Sequence, residues 1–173
     1  MDVREVADLG PEDRRALFDR DAGVGAVRDD VREIVDRVRE EGDVALRDFS
    51  REFDGVEVGN LDVTDRAERA AASVEDDTLD AIRTAVENVR TFHERQLPED
   101  WRADFDGREL GRRFRPVESV GGYAPGGTAA YPSSAIMGVV PAIVAGVDHV
   151  TVATPPAEDL NPVTLAAIHE AGA

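Results

Sequence analysis

The stretch SVGGYAPGGTAAYPSSAIMGVVPAIVAGVDHVTVA, residues 119–153, decides the fold. Its middle, residues 135–147, is apolar almost all round, which predicts a helix buried on most sides. The segment DHVTVAT that follows has the composition of a strand, and NPVTLAAIHEAGA after it opens another helix. From residue 119 the order is therefore strand, loop, helix, strand, loop, helix. This alternation predicts a parallel sheet with helical crossovers, and so an α/β fold.

Charge is divided unevenly along the chain. Of the 37 acidic residues, four lie after residue 119, so the other 33 and all 20 arginines lie before it. A segment so poor in charge is mostly buried. We therefore predict an acidic, helix-rich α/β region over 1–119 and the first part of a Rossmann-like, nucleotide-facing domain over 120–173. Two strands are too few for a complete doubly wound sheet, so we expect this domain to be cut off at 173, within a longer enzyme.

Apolar periodicity and turn residues predict the elements of the first region. We expect a helix with an apolar stripe from Val24 to Val38 that stops at Gly42, a shorter helix that ends near Gly55, and one or two short strands in VEVGNLDV, residues 56–63. A helix capped by Thr64 or Asp65 runs to Ala72. The strongest prediction is a helix that starts at Asp76 or Asp77 and ends before Pro98, with the stripe Leu79, Ile82, Val86, Val89 and Phe92. An Asp106-Gly107 pair predicts a hairpin near 101–115.

The composition excludes several classes of protein. A formal charge of −17 should repel nucleic acid and anionic membranes. Lysine is absent, which together with the high acid content indicates adaptation to high salt, although compositional drift is an alternative. Cysteine is absent, which removes disulfides, thiolate metal sites and cysteine nucleophiles. The N-terminus does not resemble a signal peptide and no apolar stretch reaches about 18 residues, so we expect a soluble, cytoplasmic protein.

The glycine-rich loop after the first strand is the candidate site. A loop in this position lies outside the carboxyl end of the strand, where such sheets bind ligands. Gly126 and Gly127 would allow positive φ angles and close approach of a ligand to the backbone, and the helix that starts near Pro132 would favour an anion. Tyr123 could stack on a flat ring or donate a hydrogen bond. The spacing matches neither G-x-G-x-x-G nor a phosphate loop, so a purely structural loop explains it equally well.

Three segments carry a resemblance to a known family. Residues 115–156 contain G-x-Y-x-P-G-G, a small-residue run with Pro-Ser, an apolar P-A-x-x-A-G-V helix and a strand ending in T-P-P. Upstream lie EEGDVALRDFSREFDG, residues 40–55, and NVRTFHERQLP, residues 88–98. In this order the segments resemble histidinol dehydrogenases, over nearly the whole chain and most weakly over residues 1–22. The chain resembles the N-terminal portion of that family, C-terminally truncated.

The resemblance implies an aldehyde-dehydrogenase-like fold and an activity. A member of this family is a cytoplasmic homodimer that oxidises L-histidinol to L-histidine, the final steps of histidine biosynthesis, with NAD and zinc, through L-histidinal kept in the site. It implies that Tyr123 contacts NAD and that Gly126 and Gly127 make room for it. The zinc ligands and the catalytic glutamate and histidine are expected beyond residue 173, so residues 1–173 hold no catalytic or metal-binding residue and the chain alone is expected to be inactive.

Two alternatives stay open at this point. One is another NAD-dependent, aldehyde-oxidising dehydrogenase of similar fold, and the other is a non-catalytic nucleotide-binding or assembly module.

The three histidines, His93, His149 and His169, have no metal-ligand spacing, so we expect packing or surface roles for them. Adjacent carboxylates are expected by chance in so acidic a chain, and we interpret them as solvated surface.

Overall fold

A computed structural model describes residues 9–18, 24–126 and 129–173 of the chain. The chain divides into two compact units, residues 1–48 and 49–173. The domain boundary near residue 120, which rests on charge distribution, remains a prediction.

The first unit is helical. Helix α1 spans Pro11–Phe18, α2 spans Val24–Glu41 and α3 begins at Asp43 and runs to Phe49. The predicted stop at Gly42 is confirmed, because α2 ends directly before it. Arg37 joins α2 to α3: its guanidinium contacts Glu41 at 3.1 Å and Asp48 at 2.8 Å. These two carboxylates, Glu41 first, raise the pKa of Arg37.

The second unit begins with a helical turn and an irregular segment. A π-helical turn, Ser50–Asp54, ends at Gly55 as predicted, but residues 56–63 form no strand, so the prediction of strands in VEVGNLDV is wrong. Side chains bond the backbone there instead. The amide of Asn60 accepts from the Asp62 N–H at 3.3 Å, and the carboxylate of Asp62 accepts from the Thr64 N–H at 2.9 Å. Such local bonds compete with a strand ladder.

Two helices follow that segment. Helix α4 spans Thr64–Ala71 and α5 spans Asp76–Glu94, close to their predicted bounds. Neither Thr64 nor Asp65 caps α4; Asp62 does so from outside the helix, and the hydrogen bonds from Thr64 lower the pKa of Asp62. The stripe of α5 is only partly buried.

The predicted hairpin is confirmed. Strand β1, Trp101–Asp104, pairs antiparallel with β2, Glu109–Arg112. Asp106 and Gly107 occupy the turn with φ angles of 53° and 79°, the two positive values that a type I′ turn requires. Asp100 closes the open end: its carboxylate accepts the Phe114 N–H at 2.7 Å and a guanidinium N–H of Arg115 at 3.2 Å. The Phe114 bond is the main cause of the lowered pKa of Asp100.

The strand–helix–strand unit lies where the sequence predicts it. Strand β3, Ser119–Tyr123, and strand β4, His149–Ala153, are parallel and adjacent, in register from Ser119↔His149 to Tyr123↔Ala153. Helix α6, Pro132–Val144, connects them, and α7, Pro162–Ala171, follows β4. The α/β fold is thereby confirmed.

Helix α6 is the centre of the core. It contacts both strands as well as α5 and α7, and Val139 and Val140 are fully buried. Burying such a side chain stabilises the fold by roughly 1.5–3 kcal/mol. The prediction of a helix buried on most sides holds for four positions, but Met137 is 56% exposed. The buried residues of the cluster are Ala71, Ile82, Val86, Ala124, Ala135, Ile136, Val139, Val140, Ala166, Ala167, Ile168 and Ala171.

Candidate functional site

The candidate site lies at the carboxyl ends of β3 and β4. Tyr123 ends β3, and its register partner Ala153 ends β4. The glycine-rich loop leaves the sheet at this edge and returns to α6 at Pro132. Open α/β sheets bind ligands outside the carboxyl ends of their strands.

Tyr123 presents its ring to solvent. Burial alternates along β3, so that Val120 and Gly122 are partly covered while Ser119, Gly121 and Tyr123 are exposed. The side chain of Tyr123 is 65% exposed, the largest fraction among the exposed large hydrophobic residues of the described chain. An aromatic ring in this position can stack on a planar group and offer its hydroxyl.

Gly126 differs from its prediction. Its φ is not positive, so left-handed backbone is not the reason for a glycine here. A Cβ at this position would lie 3.2 Å from both Cγ and Cδ of Pro155, in the T-P-P segment that follows β4. The missing side chain therefore lets the loop approach Pro155. Gly127 lies outside the described residues.

The loop is held at both of its ends. At its start the N–H of Ala124 donates to the carbonyl of Ala153 at 2.9 Å, which continues the sheet by one bond. At its end the N–H of Tyr131 donates to Oγ1 of Thr164 at 3.0 Å. Thr164 is a residue of the site that was not predicted from the sequence. A polar residue inside the apolar run VTLAAI was the available signal.

A small cleft lies beneath the loop. Its cavity volume is about 50 Å³, and Gly126, Pro155, Asn161 and Thr164 are among the residues that line it. A water molecule takes roughly 30 Å³ of liquid volume, whereas ligand pockets run from about 300 Å³ upward. The cleft is therefore too small for a dinucleotide, which would have to lie across the exposed edge beside Tyr123.

The charges near the site limit how it can hold a phosphate. Residues 120–173 contain no Lys or Arg, so this segment offers an anion backbone N–H groups and neutral side-chain donors but no permanently positive side chain. The predicted helix start is confirmed at Pro132, and no side chain caps α6, so neither Ser133 nor Ser134 does so. Helix α7 is different, since Oδ1 of Asn161 accepts from the N–H groups of Val163 and Thr164. Free N–H groups at the start of a helix favour an anion.

The histidines lie apart from one another in the fold. His93 lies on α5, His149 on β4 and His169 on α7. Among the described residues no group of three or more His, Cys, Asp or Glu side chains is placed to hold a metal ion. In the same residues no helix is both long enough and apolar enough to span a membrane.

A second cleft, of about 350 Å³, lies along α4, α5 and α7. Its arginine, Arg83, is already bound to Glu170, and Glu68 and Asp76 line the same cleft. It does not lie at the carboxyl ends of the strands, and its carboxylates disfavour an anionic ligand. The sheet edge is therefore the better candidate.

The parallel strands, the crossover helix and the glycine-rich loop at the sheet edge define a partial Rossmann-like α/β protein. A family model described as histidinol dehydrogenase matches residues 19–173. The chain belongs to the histidinol dehydrogenase family.

Its relatives are similar over the whole chain. A histidinol dehydrogenase from Haloarcula marismortui is 72% identical over 173 residues, and one from Halobacterium salinarum is 70% identical over 174; the match covers 100% of this chain and 41% of each relative. A crystal structure of histidinol dehydrogenase from Elizabethkingia anophelis superposes with a TM-score of 0.78 at 30% identity, and the match covers 84% of this chain and 35% of that one. The chain thus spans about two fifths of the length of these curated relatives.

Proposed function

We propose that this chain is part of a histidinol dehydrogenase, which oxidises L-histidinol to L-histidine through L-histidinal with NAD as the hydride acceptor. Membership of the family carries this proposal, together with an exposed Tyr123 at the carboxyl edge of a parallel sheet. In the family's motif G-x-Y-x-P-G-G this tyrosine is the one that the resemblance assigns to NAD.

The residues at the sheet edge fit part of a dinucleotide. The exposed ring of Tyr123 offers a face for a planar base or nicotinamide. Tyr123 is the last residue of β3, so its pairing with Ala153 of β4 fixes its backbone position. Because Gly126 has no side chain, the loop backbone can lie close to Pro155. We propose that this leaves room for the cofactor at the sheet edge. The uncapped start of α6, at the end of the loop, supplies N–H groups that would favour a phosphate. NAD supplies the hydride acceptor when it is bound, and these residues orient it.

Zinc and the proton acceptors are a separate part of the proposal. We place the zinc ligands and the catalytic glutamate and histidine outside residues 1–173, as the resemblance to the family implies; the chain spans 41% of the length of the Haloarcula marismortui relative. Residues 1–173 then contribute cofactor binding, and the chain alone should not reduce NAD with histidinol. The complete enzyme is proposed to be a cytoplasmic homodimer, with neither nucleic acid nor membrane as a partner.

A chimera tests the proposal. Residues 1–173 replace the aligned segment of the Haloarcula marismortui enzyme, which is 72% identical. The purified chimera, the relative and the 173-residue chain are each given L-histidinol and NAD with and without zinc, and NADH formation is followed. We expect histidinol-dependent NADH formation from the chimera and the relative, and none from the chain alone.

Three results would count against the proposal. A folded chimera that is inactive while the relative is active would remove the catalytic assignment. A chimera that binds NAD but oxidises other aldehydes in preference to histidinol would favour a different dehydrogenase. Binding of NAD without turnover of either substrate would favour the non-catalytic binding module.

A further inference from the structure

Thr164 is an unusual residue in the core of the second unit. It is the buried polar side chain of the described residues, with 5% of its surface exposed. Its neighbours in α7, Leu165, Ala166 and Ala167, are buried and apolar. A buried hydroxyl costs free energy unless it is hydrogen-bonded, so the bond that Thr164 makes is the reason to look for a role.

The hydroxyl of Thr164 bonds a backbone group that is distant in sequence. The N–H of Tyr131 donates to Oγ1 of Thr164 at 3.0 Å across 33 positions of the chain. Tyr131 is the last residue before α6, and its own carbonyl accepts the N–H of Ala135 at 3.4 Å. The bond therefore fixes the point at which the glycine-rich loop becomes a helix.

The position of Thr164 is itself set by a helix cap. Oδ1 of Asn161 accepts from the N–H of Thr164 at 3.2 Å and from the N–H of Val163 at 3.0 Å. The first turn of α7 is thereby held, and Thr164 projects from that turn. Asn161 and Thr164 also line the cleft beneath the loop, together with Gly126 and Pro155.

The other end of the loop is anchored by the sheet. Ala124, which follows Tyr123 directly, donates its N–H to Ala153 and is fully buried. The loop thus has one anchor made by a backbone group of the strand ladder and one that depends on a single side-chain hydroxyl. Removal of that hydroxyl would free the far end of the loop and leave the ladder and the core cluster intact.

We propose that Thr164 is a positioning residue for the cofactor, acting through the Tyr131 N–H to hold the glycine-rich loop and the start of α6 at the sheet edge. This inference rests on the proposed NAD site beside Tyr123. Thr164 itself need not touch the cofactor. Its loss is expected to weaken NAD binding and to leave the chemical step, for which residues 1–173 supply no group, unchanged once NAD is saturating.

The test uses the chimera and three variants. Thr164→Val keeps the shape and removes the hydroxyl, Thr164→Ser keeps the hydroxyl and removes a methyl, and Thr84→Val removes a threonine hydroxyl that bonds Asp80 on the surface of α5. The KM for NAD, the KM for histidinol and kcat are measured for each, with zinc content and the urea unfolding midpoint. If Thr164→Val does not fold, Thr164→Ala takes its place.

The expected result is a split between the kinetic constants. Thr164→Val should raise the KM for NAD about fivefold, the effect of one lost hydrogen bond, with kcat and the KM for histidinol within about twofold of the parent. Thr164→Ser should restore the KM for NAD, and Thr84→Val should leave it unchanged. A folded Thr164→Val chimera with an unchanged KM for NAD would overturn the proposal. Equal losses of NAD affinity in the serine and valine variants would also overturn it. So would the finding that no variant without the hydroxyl folds.

A failure of the proposed function is distinguishable from these outcomes. If the parent chimera does not oxidise histidinol, NAD binding is measured directly by calorimetric titration of the same proteins. A Thr164→Val chimera that binds NAD about fivefold more weakly than the parent would support the positioning role in the absence of turnover. A parent chimera that binds no NAD would overturn both.

Discussion

Arg83 of α5 and Glu170 of α7 join two helices through a two-point ion pair that spans 87 positions of the chain. Nε of Arg83 donates to Oε2 at 2.8 Å and Nη2 donates to Oε1 at 3.2 Å. The side chain of Glu170 is only 17% exposed, whereas that of Arg83 is 56% exposed. The hydrogen bond from Arg83 lowers the pKa of Glu170, and partial burial opposes it.

This pair should make stability depend on pH on the acid side. In the unfolded chain Glu170 titrates near the usual value of about 4.3, and its folded pKa lies below that. The pair therefore stabilises the fold fully at pH 7 and is lost as the pH falls through the folded pKa. We expect Glu170→Gln to lower the urea midpoint at pH 7 and the difference from the parent to shrink as the pH is lowered toward 3.

A matched control uses an ion pair on the hairpin. Glu109 bonds Arg102 at 3.1 Å, but both side chains are mostly exposed. Exposed pairs contribute little, so Glu109→Gln should leave the pH profile of the midpoint unchanged. A Glu170→Gln difference that stays constant from pH 7 to pH 3 would contradict the role assigned to the pair.

Truncation of two adjacent residues of α6 should change the free energy of unfolding by very different amounts. Ile136 is 3% exposed in the core cluster, whereas Met137 is 56% exposed. Ile136→Ala leaves a cavity and should cost about 2–5 kcal/mol of the free energy of unfolding. Met137→Ala should change it by no more than about 0.5 kcal/mol. Urea unfolding of the 173-residue chain measures both, and similar losses for the two would show that α6 is oriented differently.

Glycine-to-alanine substitutions should have opposite effects on the free energy of unfolding in the hairpin and in α6. Gly107 has φ = 79°, where an alanine costs about 1–2 kcal/mol. Gly138 lies inside α6, and a Cβ there would meet no atom within 4 Å, so alanine should gain about 1 kcal/mol from helix propensity. Amide exchange at Phe105 and Arg108, whose N–H groups close the turn, should accelerate in Gly107→Ala. Unchanged exchange there would argue against the type I′ turn.

Local signals explain which elements could be predicted. The hairpin follows from Asp106-Gly107, because both residues tolerate positive φ, and α5 follows from its apolar period and from Asp76 at its start. Each of these signals lies within the element that it predicts. The prediction of strands over residues 56–63 also rested on a local signal, the valines of VEVGNLDV. It is wrong because the side chains of Asn60 and Asp62 hydrogen-bond the backbone locally, and because no partner strand is present among the described residues.

Contacts between distant segments could not be predicted. Gly126 was expected to allow a positive φ, which it does not adopt. A Cβ there would crowd Pro155, 29 positions later, and nothing near Gly126 in sequence indicates that. The bond from Tyr131 to Thr164 depends on how α6 and α7 pack, which is a property of the core. Phe92 was placed on the apolar stripe of α5 but is 60% exposed, whereas Ile82 and Val86 of the same stripe are buried.

Tyr123 should affect the use of NAD more than zinc content. In the chimera, Tyr123→Ala removes both the ring and the hydroxyl and should raise the KM for NAD several-fold, since one such contact is worth about 1 kcal/mol. Tyr123→Phe separates the two: it should retain most of the affinity if the ring stacks on the cofactor. Phe92→Ala removes an aromatic ring that is 60% exposed on α5 and serves as the control. An unchanged KM for NAD in Tyr123→Ala would remove this residue from the site.

Salt should stabilise the chain, because its charge is strongly one-sided. The formal charge is −17 and the acids are mostly exposed, so the compact state is destabilised by self-repulsion at low ionic strength. The Debye length falls from about 10 Å at 0.1 M to about 3 Å at 1 M, which screens most of that repulsion. We expect the thermal midpoint of the 173-residue chain to rise between 0.1 M and 1 M KCl. A variant with Asp30→Asn, Glu33→Gln, Glu40→Gln and Glu99→Gln has four fewer negative charges, −13 in place of −17, and should show a smaller rise. Equal rises for the two proteins would assign the stabilisation to an effect of salt other than screening, and a flat or falling midpoint in the parent would exclude self-repulsion as a limit on its stability.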